Sequence, residues 1–161
     1  VITIPFKINE DSARDEEKQD EVTASIKGLN ILLVEDNELN MEIAEFVIQS
    51  EGASVVKAWN GQEAVEAFEK SASGEFDVIL MDVMMPVMNG YEATKTIRTM
   101  DRSDAKKIPI IAMTANAFVE DRIKSKEAGM NEHVSKPIDM KLLVKIIAEL
   151  AGKNKNREDK E

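Results

Sequence analysis

The 161-residue chain contains no cysteine, only one histidine and few aromatic residues. The absence of cysteine excludes disulfides, thiolate metal sites and thiol nucleophiles. Basic residues are also in deficit, and the formal charge of -10 argues against a broad surface for nucleic acid, because neutralising phosphates is the main source of that affinity. An acidic protein suits a cation or a basic partner surface instead.

Long hydrophobic runs are missing as well. The longest candidate, Leu142 to Leu150, is interrupted by Lys145 and Glu149, so it predicts an amphipathic helix and not a membrane span. No secretory signal is visible at Val1. We therefore expect a cytoplasmic chain that does not itself insert into a membrane.

Composition divides the chain into three parts. Residues 1–28 combine a short apolar, strand-like stretch with a polar segment, Asn9 to Glu21, whose seven acidic and two basic residues are typical of a solvated linker. Residues 153–161 are again highly charged, which predicts a flexible tail. The length between these segments suits one folded domain over residues 29–152.

Strand and helix patterns alternate five times in that domain. Five short apolar runs predict strands: Ile31–Val34, Ala53–Ala58, Val78–Met81, Ile108–Ala112 and His133–Ser135. Helical spacing between them predicts five amphipathic helices, and Gly52, Gly74 and Gly129 fall where helices should stop. Strict alternation with short loops predicts a single doubly wound α/β domain, flavodoxin-like, with a parallel sheet of order 2-1-3-4-5.

Polar residues follow four of these runs, where each strand would end: Glu35, Asp36, Asp82, Thr114 and Lys136. Each alone has a structural explanation, such as helix capping. The sheet order makes the carboxyl ends of the first and third strands neighbours, so the three carboxylates should converge. Two carboxylates 4 Å apart repel by about 4 kcal/mol at an effective dielectric near 20. Such a cluster needs a cation or a raised pKa, which favours Mg2+, with Mn2+ as a second candidate, beside a phosphate-sized anion site.

Four segments resemble the receiver domains of two-component signalling over the range Leu29 to Gly152: Ile31–Asn37, Val78–Gly90, Ile110–Ala115 and Ser135–Pro137. The resemblance implies that Asp82 accepts a phosphoryl group from a histidine of a partner kinase or of a histidine phosphotransfer protein. It also implies that the chain catalyses its own phosphorylation and dephosphorylation without being a kinase.

The resemblance also assigns the ligands of the metal. Asp36, Asp82 and the backbone carbonyl of Met84 would hold Mg2+ directly, and Glu35 would hold it through water. Lys136 and a hydroxyl donated by Thr114 would then contact the phosphoryl oxygens. A cis peptide bond between Lys136 and Pro137 is implied as well.

Two features concern signalling output. In the family an aromatic switch residue lies three positions before the lysine, but this chain has His133 there, which makes His133 a doubtful switch. Nothing resembling a DNA-binding module follows Gly152, so output should pass through another protein or another part of a longer polypeptide. The first helix near Leu39 and Asn40, together with the loops around the acidic cluster, is the expected contact surface. Residues 2–6 resemble the closing strand of a histidine kinase ATPase domain, which implies the C-terminal receiver of a hybrid sensor kinase, as the cytoplasmic part of a membrane-bound sensor.

Two other functions fit parts of the pattern. A phosphohydrolase that forms an aspartyl-phosphate would also use Mg2+, a lysine and a threonine, but it usually has a second aspartate two residues after the nucleophile. That position is Met84 here, which counts against it. A receiver that serves only as an interaction module would have lost the acceptor, the acidic pair or the lysine, and all of these are present.

Overall fold

The computed structural model describes residues 25–115 and 118–158. Five strands lie in this part of the chain: β1 (Asn30–Val34), β2 (Ser54–Ala58), β3 (Val78–Asp82), β4 (Ile110–Thr114) and β5 (Glu132–Ser135). The helices described with them are α1 (Glu38–Ser50), α2 (Gly61–Lys70), α3 (Gly90–Arg98), α4 (Ser103–Lys107), α5 (Val119–Ala128) and α6 (Met140–Glu158). None of these helices combines the length and the apolar character needed to cross a bilayer.

The sheet is parallel throughout and has the order β2-β1-β3-β4-β5, which confirms the predicted topology. Side chains alternate between its two faces. Leu33 and Leu80 pack against α1 and α6, whereas Leu32 and Ile79 pack against α2, α3 and α4. The central strands β3 and β4 are buried along their whole length, as expected for a sheet covered by helices on both sides.

The prediction of five helices was wrong by one, because the short helix α4 lies between α3 and β4. Five residues are too few to show an apolar period. Arg102 and Asp104, paired at 2.7 Å, tie the start of α4 to the end of α2 and the segment after it. Arg102 donates to the carbonyls of Phe68 and Ser71, and Asp104 Oδ2 accepts the backbone N–H of Gly74. Strand β4 starts at Ile110 and not at Ile108, because Ile108 caps α4 and Pro109 has no backbone N–H to donate.

The last helix, whose apolar pattern in the sequence covers Leu142 to Leu150, continues through Gly152 to Glu158. A glycine inside a helix costs only about 0.5–1 kcal/mol, which the buried residues before it, such as Ile147 and Ala151, offset. The apolar stretch and acidic linker predicted within residues 1–24 lie outside the described residues, as do residues 159–161. The domain limits at residues 29 and 152 stay predictions.

Candidate active site

Three acidic side chains meet at the carboxyl edge of the sheet. Val34 of β1 pairs with Met81 of β3, so the residues that follow or end these strands are neighbours. Glu35, Asp36 and Asp82 each place one carboxylate oxygen within 4.8 Å of the others. Glu35 and Asp82 are almost fully buried, at 2% and 3% exposure, whereas Asp36 is exposed. The expected convergence of these residues is therefore what the structure shows.

Lys136 follows β5 and reaches the same cluster. Its Nζ lies 2.9 Å from Glu35 Oε2 and 3.3 Å from Asp82 Oδ2. Its backbone N–H donates to the carbonyl of Thr114 at 2.7 Å, which fixes the end of β5 beside β4. The Lys136–Pro137 peptide bond is cis, as the resemblance implied. One cation thus bridges the two buried carboxylates.

The cluster shifts the protonation of its members. Burial, helped by the negative charge of Glu35, raises the pKa of Asp82 to about 7, although Lys136 acts in the opposite direction. Burial alone would lower the pKa of Lys136, but its hydrogen bonds and the charges of Glu35 and Asp82 outweigh burial and raise it. The lysine therefore stays charged, and Asp82 is an acid that a nearby cation would ionise.

The loop after β3 is held by two glycines. Gly90 donates its N–H to the carbonyl of Val83, and a Cβ on Gly90 would collide with the backbone oxygen of Asp82. Gly61, at the start of α2, donates to the carbonyl of Met88 at 3.0 Å, and a Cβ there would collide with the same carbonyl. This role was not predicted from the sequence. The Asn-Gly dipeptides at the start of two helices were its only signal.

Asparagine side chains begin the helices around the site. Asn37, Asn60 and Asn89 each accept a backbone N–H in the first turn of α1, α2 and α3. The N–H of Asn37 also donates to Glu35 Oε1 at 3.2 Å, which orients this buried carboxylate. Caps of this kind typically contribute about 1 kcal/mol each and fix where the flanking loops leave the sheet.

The remaining candidates occupy different positions. Thr114 ends β4 at the same edge and is buried, while the side chain of Met84 is exposed in the loop after β3. His133 pairs with Ala112, two residues before Thr114, so it lies further back along the sheet. Its Nδ1 faces Glu132 Oε1 at 3.5 Å. The structure does not bring His133 into the acidic cluster.

The donor set fits magnesium. Carboxylate oxygens are hard ligands, and Mg2+ is commonly bound by one or two carboxylates while it keeps several waters. Glu35, Asp36 and Asp82 supply such oxygens from two adjacent strand ends. A dication would also counteract the burial and the repulsion from Glu35 that together raise the pKa of Asp82.

Curated proteins resemble this chain in sequence. The Arabidopsis thaliana protein Histidine kinase 1 is 36% identical over 156 residues, covering 78% of this chain and 13% of the plant protein. The chain spans between 5% and 16% of the length of curated relatives such as this one.

Solved structures of receiver domains also resemble this chain. The receiver domain of sensor histidine kinase PA1611 from Pseudomonas aeruginosa, with a magnesium ion coordinated in its active site cleft, is 39% identical with a TM-score of 0.70, covering 78% of this chain and 98% of that one. The receiver domain of Ssk1, in complex with the histidine phosphotransfer protein Ypd1 from Saccharomyces cerevisiae, belongs to a structure that is 32% identical with a TM-score of 0.68, covering 76% of this chain and 88% of that one. The response regulator receiver domain family matches residues 31–148, and the chain therefore belongs to that family.

Proposed function

We propose that this chain is a magnesium-dependent phosphoacceptor that takes a phosphoryl group from a phosphohistidine onto Asp82. The observation that carries the proposal is the meeting of three carboxylates within 4.8 Å, two of them buried and bridged by Lys136. The magnesium ion in the related PA1611 receiver domain supports the choice of metal.

Four residues would hold the ion. Asp36 and Asp82 would bind it directly together with the backbone carbonyl of Met84, and Glu35 would bind through water. Bound magnesium would neutralise negative charge that develops on the phosphoryl oxygens during an in-line transfer. Mn2+, which also accepts oxygen ligands, is a second candidate.

The transfer itself needs little more than positioning. A carboxylate oxygen of Asp82 forms the new O–P bond while the N–P bond to the donor histidine breaks, and the electron pair stays on the imidazole. Lys136 contributes its ammonium group, and Thr114 would donate its hydroxyl, to two of the phosphoryl oxygens. Preorganised positive charge of this kind accounts for most of the catalysis in phosphoryl transfer.

The donor would dock beside α1. A cavity of about 550 Å³ lies between α1 and the segment that follows β5, and both Glu35 and Lys136 line it. Leu39, Ile43 and Phe46 on α1 are at least half exposed, which leaves an apolar surface next to the acidic cluster. The Ssk1 receiver in its complex with a phosphotransfer protein supports a histidine phosphotransfer protein or kinase phosphodonor domain as partner.

The wider context is part of the same proposal. Histidine kinases, several of them named hybrid kinases, are the relatives of this chain, which supports a receiver within a hybrid sensor kinase. Such a segment would act in the cytoplasm. The exposed apolar side chain of Met84, two residues after the acceptor, counts against a phosphohydrolase, because it cannot serve as acid or base.

Intact mass spectrometry tests the proposal. The chain is incubated with Mg2+ and acetyl phosphate beside Asp82→Asn, and we expect a gain of one phosphoryl mass in the parent alone. Removal of Mg2+ with EDTA should abolish that gain. Equal modification of both proteins would identify another acceptor and contradict the proposal.

A further inference from the structure

The methionine side chains differ widely in their exposure to solvent. The chain has nine of them, all within the described residues, and Met84 alone is exposed, at 74%. Four others are buried: Met41, Met81, Met113 and Met130. The remaining four are partly buried against the core: Met85, Met88, Met100 and Met140. Solvent therefore reaches the thioether of Met84 far more readily than the others.

Met84 lies close to the acceptor carboxylate along the chain. The N–H of Val83 donates to the carbonyl of Met113 at 3.0 Å, and the carbonyl of Val83 accepts the N–H of Gly90 at 2.9 Å. Met84 follows this fixed residue, so its Cα lies within about 7 Å of the Cα of Asp82, the span of two residues. The unbranched side chain of methionine has three rotatable bonds, so the thioether can approach the Asp82 carboxylate without movement of the backbone.

Hydrogen peroxide converts a thioether to a sulfoxide in a two-electron step. One peroxide oxygen forms a bond to sulfur, the O–O bond breaks, and the other oxygen leaves as water, so sulfur is oxidised and the peroxide is reduced. The product is polar, and its oxygen accepts hydrogen bonds that the thioether sulfur accepts only weakly. In a core this change disrupts packing, but the side chain of Met84 lies mostly in solvent, so the fold should be kept.

We propose that Met84 is the preferred site of oxidation by hydrogen peroxide and that its sulfoxide shortens the lifetime of the phosphoryl group on Asp82. The second part rests on the proposed function. The modification is reversible, because methionine sulfoxide reductases, one for each epimer, restore the thioether. This site would make the phosphorylated state sensitive to peroxide in a chain that has no cysteine.

The effect on the lifetime follows from the hydrolysis step. The oxygen of a water molecule forms a bond to phosphorus while the bond between phosphorus and the Asp82 oxygen breaks. The electron pair of that bond returns to the carboxylate, and one proton of the water passes to solvent. A hydrogen-bond acceptor beside the water orients it for this attack, which an apolar thioether does poorly. A sulfoxide oxygen on Met84 supplies the acceptor, so hydrolysis becomes faster.

Peptide mass spectrometry after graded exposure to hydrogen peroxide tests the first part. Each oxidised methionine gains the mass of one oxygen atom. We expect Met84 to be oxidised about fivefold faster than Met85 and Met88, which belong to the same loop but are partly buried. The buried Met81 should be slower still. Equal rates at Met84, Met85 and Met88 would overturn the inference.

Decay of the phosphoryl mass tests the second part. The chain is oxidised, freed of peroxide, loaded with acetyl phosphate and Mg2+, desalted and followed by intact mass spectrometry. We expect decay about threefold faster than in the untreated chain, the fold-change that one added hydrogen bond to the attacking water provides. Circular dichroism should show that the fold is unchanged.

Three variants are the controls. Met84→Leu stays apolar but has no sulfur, so peroxide should not change its decay rate. Met88→Leu keeps Met84 and should respond as the parent does. Met84→Gln presents an amide oxygen without any oxidant and should decay faster than Met84→Leu.

The possible failures are distinguishable. No change of decay in the oxidised parent, or an equal response to peroxide in Met84→Leu, would overturn the inference. Absence of the phosphoryl mass in the untreated parent would contradict the proposed function, and the second part of the inference with it. That result is seen before peroxide is added.

Discussion

The ammonium group of Lys136 lies 3.3 Å from Oδ2 of Asp82, so the buried carboxylate has a cation beside it before any metal binds. That single cation is shared with Glu35, whose Oε2 lies 2.9 Å from the same nitrogen. One positive charge for two buried carboxylates leaves the cluster short of cations. Burial, together with the negative charge of Glu35, raises the pKa of Asp82 to about 7 in spite of the nearby ammonium group.

Asp82→Asn should stabilise the metal-free protein above pH 7. A carboxyl whose folded pKa exceeds its unfolded value of 3.8 favours the folded state at low pH, and that advantage is lost as the pH rises from about 4 to about 7. At pH 8 in EDTA we expect a gain on the order of 2 kcal/mol, below the roughly 4 kcal/mol of three pKa units, because asparagine binds Lys136 less well. Urea unfolding at pH 5 and pH 8 measures it.

The exposed Asp101→Asn is the control for that prediction, with an expected change near zero at both pH values. A loss of stability in Asp82→Asn at pH 8, or a gain that does not depend on pH, would show that the charge of Asp82 is already compensated in the folded protein.

Mg2+ affinity should rise with pH. The metal requires the ionised form of Asp82, so protons compete with it below a pKa of about 7. We expect binding to be about tenfold weaker at pH 6 than at pH 8, which titration calorimetry can measure. Asp82→Asn should bind more weakly and with little dependence on pH over this range. An affinity of the parent that is constant between these pH values would contradict the assignment of Asp82 as a ligand.

Lys136→Met should destabilise the metal-free protein. It removes the cation shared by Glu35 and Asp82, and leaves two buried carboxylates without compensation. Because the lysine is partly exposed, we expect a loss on the order of 2 kcal/mol at pH 8, less than for a fully buried pair. Saturating Mg2+ should restore more stability to this variant than to the parent. Exposed Lys145→Met, measured in parallel, should stay within about 0.5 kcal/mol of the parent.

Gly90→Ala should disturb the site through the backbone. The added Cβ would meet the carbonyl oxygen of Asp82 and lie 3.0 Å from the Cα of Val83, and backbone atoms cannot rotate away. We expect a loss of about 2–3 kcal/mol, typical of overpacking, together with weaker Mg2+ binding. Circular dichroism during urea unfolding and calorimetry report the two effects. If Gly90→Ala kept the stability and the Mg2+ affinity of the parent, the loop after β3 would have to shift without loss of free energy.

The sheet and the cluster could be predicted because their signals are local in sequence. Apolar runs mark the strands, alternation fixes the topology, and Glu35, Asp36 and Asp82 stand at strand ends that the topology makes adjacent. The bridging position of Lys136 depends on the conformation of its side chain. The spacing of residues in the sequence does not determine the distances from Nζ to the carboxylates of Glu35 and Asp82.

The misses have a different physical origin. Helix α4 is held by hydrogen bonds of Arg102 and Asp104 to the end of α2 and the segment after it, and its five residues show no amphipathic period that could predict it. Val87 adopts a positive φ of 69° in the loop after β3, which no rule would assign to a β-branched residue. The contacts of Gly61 and Gly90 with the loop around Asp82 are likewise tertiary.

The sign of the effect of Gly152→Ala tests whether α6 continues through residue 152. If the helix stopped there, a glycine at its C-cap would adopt a positive φ, and alanine would destabilise the protein by about 1 kcal/mol. In the structure Gly152 lies inside α6 without a positive φ, and a Cβ would meet no atom within 4 Å. Alanine should therefore add about 0.5–1 kcal/mol to the free energy of unfolding. Gly129→Ala is the matched contrast: Gly129 caps α5 with a φ of 107°, so the same substitution there should lower stability, and urea unfolding of both variants distinguishes a continuing helix from a terminating one.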